Sequence, residues 1–173
     1  MNAVEQTLAQ AHPIRQTALV VRDLDAAVRA WWDLLRVGPW NVFTLSPDIL
    51  QDMHYMGVPA RFGLRHALAW KDGTQIELVQ PLDGPSIFAD HLAQHGEGLH
   101  HIGIYVPDHA RAVAEFRDRG CEPIQSARGF GVTGDGAFAY FRTRQPLGTI
   151  VELIQAPSVR RTPDYTYPAP SGA

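Results

Sequence analysis

The chain has 173 residues, 45% of them hydrophobic, with 15 glycines and a net charge of −3, which suits one compact domain or two fused half-domains around a shared core. So mild a charge, with no basic stripe, argues against a nucleic-acid partner, and no acidic block marks a charged disordered tail. The single cysteine, Cys121, excludes an internal disulfide and suits a reducing, cytoplasmic setting, while no apolar run approaches the ~20 residues of a membrane span and Met1 to Pro13 lacks a signal peptide's apolar centre.

In chain order, Val4, Leu8 and Ala11 share one face of a short helix before Pro13, unless that segment is a loose arm. Gln16 to Asp23 (QTALVVRD) alternates as a strand, with Thr17, Leu19 and Val21 toward a core and Gln16 on the opposite face. Asp23 is a helix N-cap candidate for Asp25 to Arg36, whose stripe is Leu24, Val28, Trp31 and Leu35. Of the adjacent Trp31 and Trp32, one faces the core and the other a neighbouring module or subunit. Trp40 to Leu45 alternates as a strand after a turn at Val37 to Pro39. Ser46 to Gly63, with Pro47, Pro59 and two glycines, predicts a long loop holding a short helix at Asp48 to Met53. His66 to Trp70 and Thr74 to Gln80 flank Asp72-Gly73, a strong hairpin signal. Ser86 caps a short helix, Ile87 to Gln94, that leads into the second half.

There, Gly96 to Asp108 (GEGLHHIGIYVPD) repeats the first strand's pattern: His101, Gly103 and Tyr105 point one way, and Ile102, Ile104 and Val106 the other. His100, by parity, faces the helix side in a packed or hydrogen-bonding role. Asp108 caps a second helix, His109 to Arg119, and Cys121 to Ala127 is a strand. The loop Gly129 to Gly136 (GFGVTGDG) lacks the Lys-Ser/Thr ending of a nucleotide-binding loop; it is either a flexible hairpin or a lid whose backbone N–H groups meet a substrate carboxylate or phosphate. Ala137 to Thr143 and Gly148 to Gln155 are strands joined by Arg144 to Leu147. Beyond Ala156 the prolines predict an extended tail, lying across a partner subunit through Tyr165 and Tyr167. Strand, helix, strands is thus written twice: a first module over 13–83, a connecting helix over 84–97, a second module over 98–156 and a tail over 157–173.

The halves also share a closing strand, TQIELVQ at Thr74 to Gln80 and TIVELIQ at Thr149 to Gln155. The repeated polar positions are therefore Gln16, Glu77, His101 and Glu152. Singly, the histidine reads as a hydrogen-bonded structural residue and the carboxylates as exposed edge-strand positions. Recurrence of chelating side chains at equivalent places favours a site for one divalent ion. Arg61, Arg65 and Arg128 are either partners for an anionic substrate or solvated charges.

Two β-α-β-β-β modules, with Gln16 opening the first, LHHI opening the second, and IEL and VEL strands closing them, resemble the vicinal oxygen chelate superfamily over roughly His12 to Pro157. GEGLHHIGIYVPD is similar to the epimerases that act on methylmalonyl-CoA, while the Gln-Thr opening and the carboxylates look like glyoxalase I. The resemblance implies an α+β fold in which the two modules form a curved eight-stranded mixed sheet around a cavity. It implies metal ligands at Gln16, Glu77, His101 and Glu152, one divalent ion (Ni, Co, Zn, Mn or Mg), a small-molecule substrate with adjacent oxygens, and a homodimer. It further implies an isomerase, epimerase or lyase working through a metal-stabilised enediolate, with Glu152 as the catalytic base. Extradiol dioxygenases of the superfamily need two His and one carboxylate for Fe(II), and Gln16 stands in the place of the first His. Between Met53 and Lys71 there is no Asp or Glu to act as the second base of an epimerase, which leaves His54, Tyr55 or His66; isomerisation by a single shuttling base needs none. The alternative is a metal-free protein of the same fold that binds or sequesters small molecules, a reading that retention of all four ligand-type residues argues against.

Overall fold

The computed structural model describes residues 6–169. Its elements are α1 (Leu8–Ala11), β1 (Ile14–Val20), α2 (Leu24–Leu35), β2 (Trp40–Leu45), β3 (Gln51–Tyr55), β4 (Val58–Pro59), β5 (Leu64–Lys71), β6 (Thr74–Pro81), α3 (Ile87–His95), β7 (Gly98–Tyr105), α4 (His109–Asp118), β8 (Pro123–Phe130), β9 (Gly136–Phe141), α5 (Arg144–Leu147), β10 (Ile150–Gln155) and β11 (Tyr165–Tyr167). The fold is α+β, and all the strands join one mixed sheet in the order β11-β2-β5-β6-β1-β7-β10-β9-β8-β3-β4.

At the centre β1 and β7 run antiparallel, and each carries a parallel neighbour, β6 on β1 and β10 on β7. The two halves of the chain meet at this strand pair, and again where β3 pairs with β8. Strand alternation sends the two sets of side chains to separate cores. On one face Leu19 and Val21 pack with α2 through Leu24 and Val28, and Ile104 and Val106 pack with α4 through Ala112. The other face holds Val20, Val79, Phe138 and Tyr140, covered by α3 through Ile87 and Phe88.

That second face is curled. Strands β5 and β9 lie five steps apart in the sheet, roughly 24 Å if it were flat. Yet His66 of β5 and Tyr140 of β9 line one cavity of about 50 Å³.

The local signals explain most boundaries. Asp23, Ser86 and Asp108 accept from Ala26, Ala89 and Arg111 N–H and cap their helices as expected. Asp72 and Gly73 take φ of 50° and 81°, the left-handed pair that a two-residue hairpin requires. Helix α1 forms before Pro13, its Leu8 N–H bonded to Glu115 of α4; Val4 lies outside the described residues.

Five expectations are corrected. The eight strands become eleven. Asp48 to Met53 is not helical: a turn over 47–49 leads into β3, which pairs with β8 and buries Leu50 and Met53. One neighbour is local, since β3 turns at Met56-Gly57 into β4, but its partners on β8 lie 70 or more residues away, as in Tyr55↔Gln125. The tail does not need a partner subunit for its tyrosines, because β11 adds to the edge of β2 with Tyr165↔Val42 and Tyr167↔Trp40. Leu35, assigned to the buried stripe of α2, is 57% exposed at the last residue of the helix, whose buried residues are Leu24 and Val28. Trp31 meets Trp40 edge-on at 6.2 Å, and Trp32 packs at Gly38 under Arg36 rather than on another module.

Phe88 is fully buried at the closed end of the curled face, against His100, His101 and Tyr140. Replacing Phe88 by Ala is expected to cost about 3–5 kcal/mol of unfolding free energy. A urea titration checks this; a loss below about 1 kcal/mol would mean that α3 is not part of the core.

Candidate metal centre

The central strands bring the repeated polar residues together. His101 of β7 lies opposite Ala18 of β1, and Gln16 of β1 lies opposite Gly103 of β7. The parallel neighbours repeat the pattern, with Glu77 beside Ala18 and Glu152 beside Gly103. Each chelating side chain thus borders a residue with little or no side chain, and that leaves room for the cluster. An added Cβ at Gly103 would overlap Gln16 Oε1.

Gln16, Glu77, His101 and Glu152 are all at least 95% buried. His101 Nε2 is 3.2 Å from Glu77 Oε2 and 3.1 Å from Glu152 Oε2. One ligand atom each from Glu77, His101 and Glu152 fits within 4.8 Å, so this buried Glu–His–Glu group is one that could hold a metal ion. At 3.1–3.2 Å these atoms are close enough to hydrogen-bond, but their directions are wrong for it. Gln16 Oε1, Glu77 Oε2, His101 Nε2 and Glu152 Oε2 all lack a hydrogen-bond partner among the described residues. They converge on a common space rather than on each other.

The remaining atoms of these side chains are held from behind. Gln16 Nε2 donates to Gln75 Oε1 at 2.9 Å, and Tyr105 OH donates to the same oxygen at 2.6 Å. That fixes the amide of Gln16 with its oxygen inward. Glu77 Oε1 accepts from His66 Nδ1 at 2.7 Å. His101 Nδ1 is 2.9 Å from His100 Nδ1, a contact that needs one proton between two nitrogens. Burial, with the charge of His101 adding to it, lowers the His100 pKa to about 2, so His100 is the neutral acceptor and its other nitrogen meets the Ile87 carbonyl.

This placement of His100 corrects the parity expectation. The ladder between β1 and β7 slips at Ala18/Leu19, where Leu99 and His101 take partners and His100 takes none. The bulge turns both histidines to the inner face, and His100 packs on Phe88 and His91 of α3.

The charges are strongly coupled. Burial pushes the His101 imidazolium down, but Glu152 and Glu77 outweigh it and raise its pKa to about 9. Burial pushes Glu77 up, yet His101 and His66 hold it at about 2. Glu152 is raised by burial, which the contact with His101 only partly offsets, and the Tyr140 phenol lies against it.

Several candidates fall outside the cavity. Arg65 forms a two-pronged pair with Asp25 at 3.0 and 3.1 Å, and Arg128 pairs with Asp52. Arg61 is exposed and is not among the cavity-lining residues. His54 bonds its neighbour's backbone at Asp52, and Tyr55 OH donates to Asp90. Of the three candidates for a second proton-transfer group, only His66 lines the cavity. In the 131–135 loop, Val132 N–H donates to Val159 O, and the Asp135 carboxylate accepts from Ser158 N–H and the Thr133 hydroxyl. Arg160, which the sequence did not single out, does line the cavity.

The Glyoxalase/Bleomycin resistance protein/Dioxygenase superfamily profile matches residues 15–141. The chain belongs to that superfamily. No curated protein matches it by sequence. Solved structures share the superfamily fold at low identity. A methylmalonyl-CoA epimerase from Mycobacterium tuberculosis is 22% identical, with a TM-score of 0.65 over 90% of this chain and 95% of that one. A hypothetical protein from Bacillus halodurans is 19% identical, with a TM-score of 0.63 over 88% and 99%. A Streptomyces coelicolor methylmalonyl-CoA epimerase in complex with 2-nitronate-propionyl-CoA is 20% identical, with a TM-score of 0.60 over 87% and 98%.

The charge balance sets a pH dependence for the metal-free protein. His101 has a folded pKa above its ordinary 6.5, so its contribution is full below about 6.5 and is lost as pH rises through about 9. Glu77 has a folded pKa below its ordinary 4.5, so its contribution is full above about 4.5 and is lost as pH falls through about 2. In chelator, the urea midpoint is expected to decline on the alkaline side of neutrality, and His101→Gln is expected to flatten that decline. An identical slope in both proteins would contradict the assignment.

Proposed function

We propose that this protein is a divalent-metal-dependent enzyme that moves a proton on a carbon next to a carbonyl, in the manner of a glyoxalase, an isomerase or an epimerase. The observation that carries the reading is the set of unpartnered buried atoms, one from each of Gln16, Glu77, His101 and Glu152. Each buried polar atom without a partner costs about 1–3 kcal/mol, and a single cation relieves all of them at once. One imidazole, two carboxylates and an amide oxygen suit Mg²⁺, Mn²⁺, Co²⁺, Ni²⁺ or Zn²⁺ with positions left open for adjacent substrate oxygens. Gln16, Glu77, His101 and Glu152 would hold the ion, and when bound it supplies Lewis-acid polarisation of a carbonyl and charge stabilisation beside it.

Glu152 is the base. Burial makes its carboxylate a better proton acceptor than one in water, and Tyr140 against it limits its swing. His66 is the second proton-transfer group. Its Nδ1 is committed to Glu77, and its ring lines both the cavity and the adjoining cleft. A carboxylate–imidazole pair is enough for either a one-base shuttle or a two-sided exchange. The substrate is a small molecule with adjacent oxygens or a thioester; solved structures of this fold include a methylmalonyl-CoA epimerase in complex with methylmalonyl-CoA.

Elemental analysis of purified protein is expected to find one divalent ion per chain, and added Co²⁺ or Ni²⁺ is expected to raise the melting temperature of chelated protein. Absence of both effects would leave a metal-free binding protein. In ²H₂O, loaded protein is expected to exchange the α-hydrogen of methylmalonyl-CoA, a glutathione hemithioacetal or a hydroxy ketone. Glu152→Gln should slow that exchange by roughly 10²-fold or more. Wild-type exchange in a metal-loaded Glu152→Gln protein would remove Glu152 from the mechanism.

A further inference from the structure

The cavity has a cation that the proton chemistry does not use. After β10 the chain crosses the open side of the curled face, where Pro157 and Arg160 join the lining of the cavity. Pro157, Arg160 and Arg161 also line an adjoining cleft of about 40 Å³ with Phe43, Leu45 and Phe130. His66 borders both spaces, so they form one continuous site.

This crossing is tied down at both ends. Ser158 N–H donates to the Asp135 carboxylate at 3.0 Å, and Val159 O accepts from Val132 N–H at 2.9 Å. On the far side Asp164 N–H donates to Val42 O at 2.8 Å, where β11 begins its pairing with β2. Ordering each such backbone residue costs about 1–2 kcal/mol, and the segment between the ties brings few apolar side chains to a core in return. What it does bring is charge. Like most of the chain's arginines, Arg160 and Arg161 have no carboxylate within 4.0 Å among the described residues, and unlike the others they line this cavity and its adjoining cleft. Arg160 lines the same cavity as Tyr105, which leads through Gln75 to Gln16.

We infer that Arg160 is a specificity-determining residue that pairs with a carboxylate of the substrate, so that the substrate is an anionic carbonyl compound rather than a neutral one. This rests on the proposed function for the location of the reacting carbonyl. Glu77 and Glu152 make the inner site unwelcoming to an anion, and a guanidinium at its mouth offsets that and presents the fork that carboxylates match. Phe43, Leu45 and Phe130 give the cleft apolar walls beside Arg160 and Arg161, whose side chains are exposed and open to an incoming acid. The carboxylate sits toward Arg160 while the carbonyl end reaches Glu152, and Arg161 lies on the cleft side to accept longer acids.

The test measures calorimetric binding of malonate, malonamide and methyl phosphate to Co²⁺-treated wild type, Arg160→Ala, Arg160→Lys and Arg128→Ala. Malonate is expected to bind wild type, Arg160→Ala to weaken it about tenfold or more, and Arg160→Lys to fall between. Malonamide affinity and Co²⁺ affinity should be unchanged in Arg160→Ala, and Arg128→Ala should match wild type. Equal malonate affinity in wild type and Arg160→Ala would overturn the inference, as would an equal loss of malonamide binding. Tighter Arg160-dependent binding of methyl phosphate than of malonate would overturn the carboxylate assignment. Failure to bind Co²⁺ refutes the metal reading separately, since the Arg160-dependence of malonate binding is measured against its own wild type.

Discussion

The structure depends on unpaired polar atoms buried around the strand pair β1 and β7. An imidazole nitrogen, two carboxylate oxygens and an amide oxygen point into one space with no donor to satisfy them. Ala18 and Gly103 make the geometry possible, since any larger side chain at those positions would fill the space the four groups share. The curl of the sheet, the plug of α3 and the bulge at His100 all serve this convergence. Each removes water from the cluster or turns a side chain into it, and removing water is what makes an unpaired acceptor costly.

Burial opposes a charge on His101, but Glu152 and Glu77 beside it raise its pKa to about 9. Behind the cluster, His66, His100 and Gln75 orient one side chain each, through contacts at 2.7, 2.9 and 2.9 Å. Such backing fixes tautomer and amide direction, the details on which a metal site's affinity turns. About a fifth of residues are identical to those of epimerases that share this backbone fold.

The two halves are not used alike at the sheet edges. The edge of β8 is covered by β3 from the first half of the chain, and the edge of β2 by β11 from the tail. Both additions bury strand edges that would otherwise offer unpaired backbone groups to other chains. Only the second drags a segment across the cavity on its way. Edge protection and the supply of Arg160 to the mouth are thus consequences of one chain path.

Much of this was legible in the sequence, because it rested on short-range patterns. Alternation in QTALVVRD and, from His101 onward, in GLHHIGIYVPD showed which side chains share a face, the repeated IEL and VEL strands marked Glu77 and Glu152, and Asp23, Ser86 and Asp108 marked the helix starts. The pair Ala18 and Gly103 was a further signal, visible as small residues at the repeated strands. What tertiary structure alone decided was everything that depends on distant partners: β3 on β8, β11 on β2, and the slip that turned His100 inward. Strand pairing across 70 or more residues leaves no mark in local periodicity, and a bulge reverses parity without changing composition. Arg160 belongs to that second group, since a guanidinium in a proline-rich tail gains a role only from the cavity the chain happens to cross.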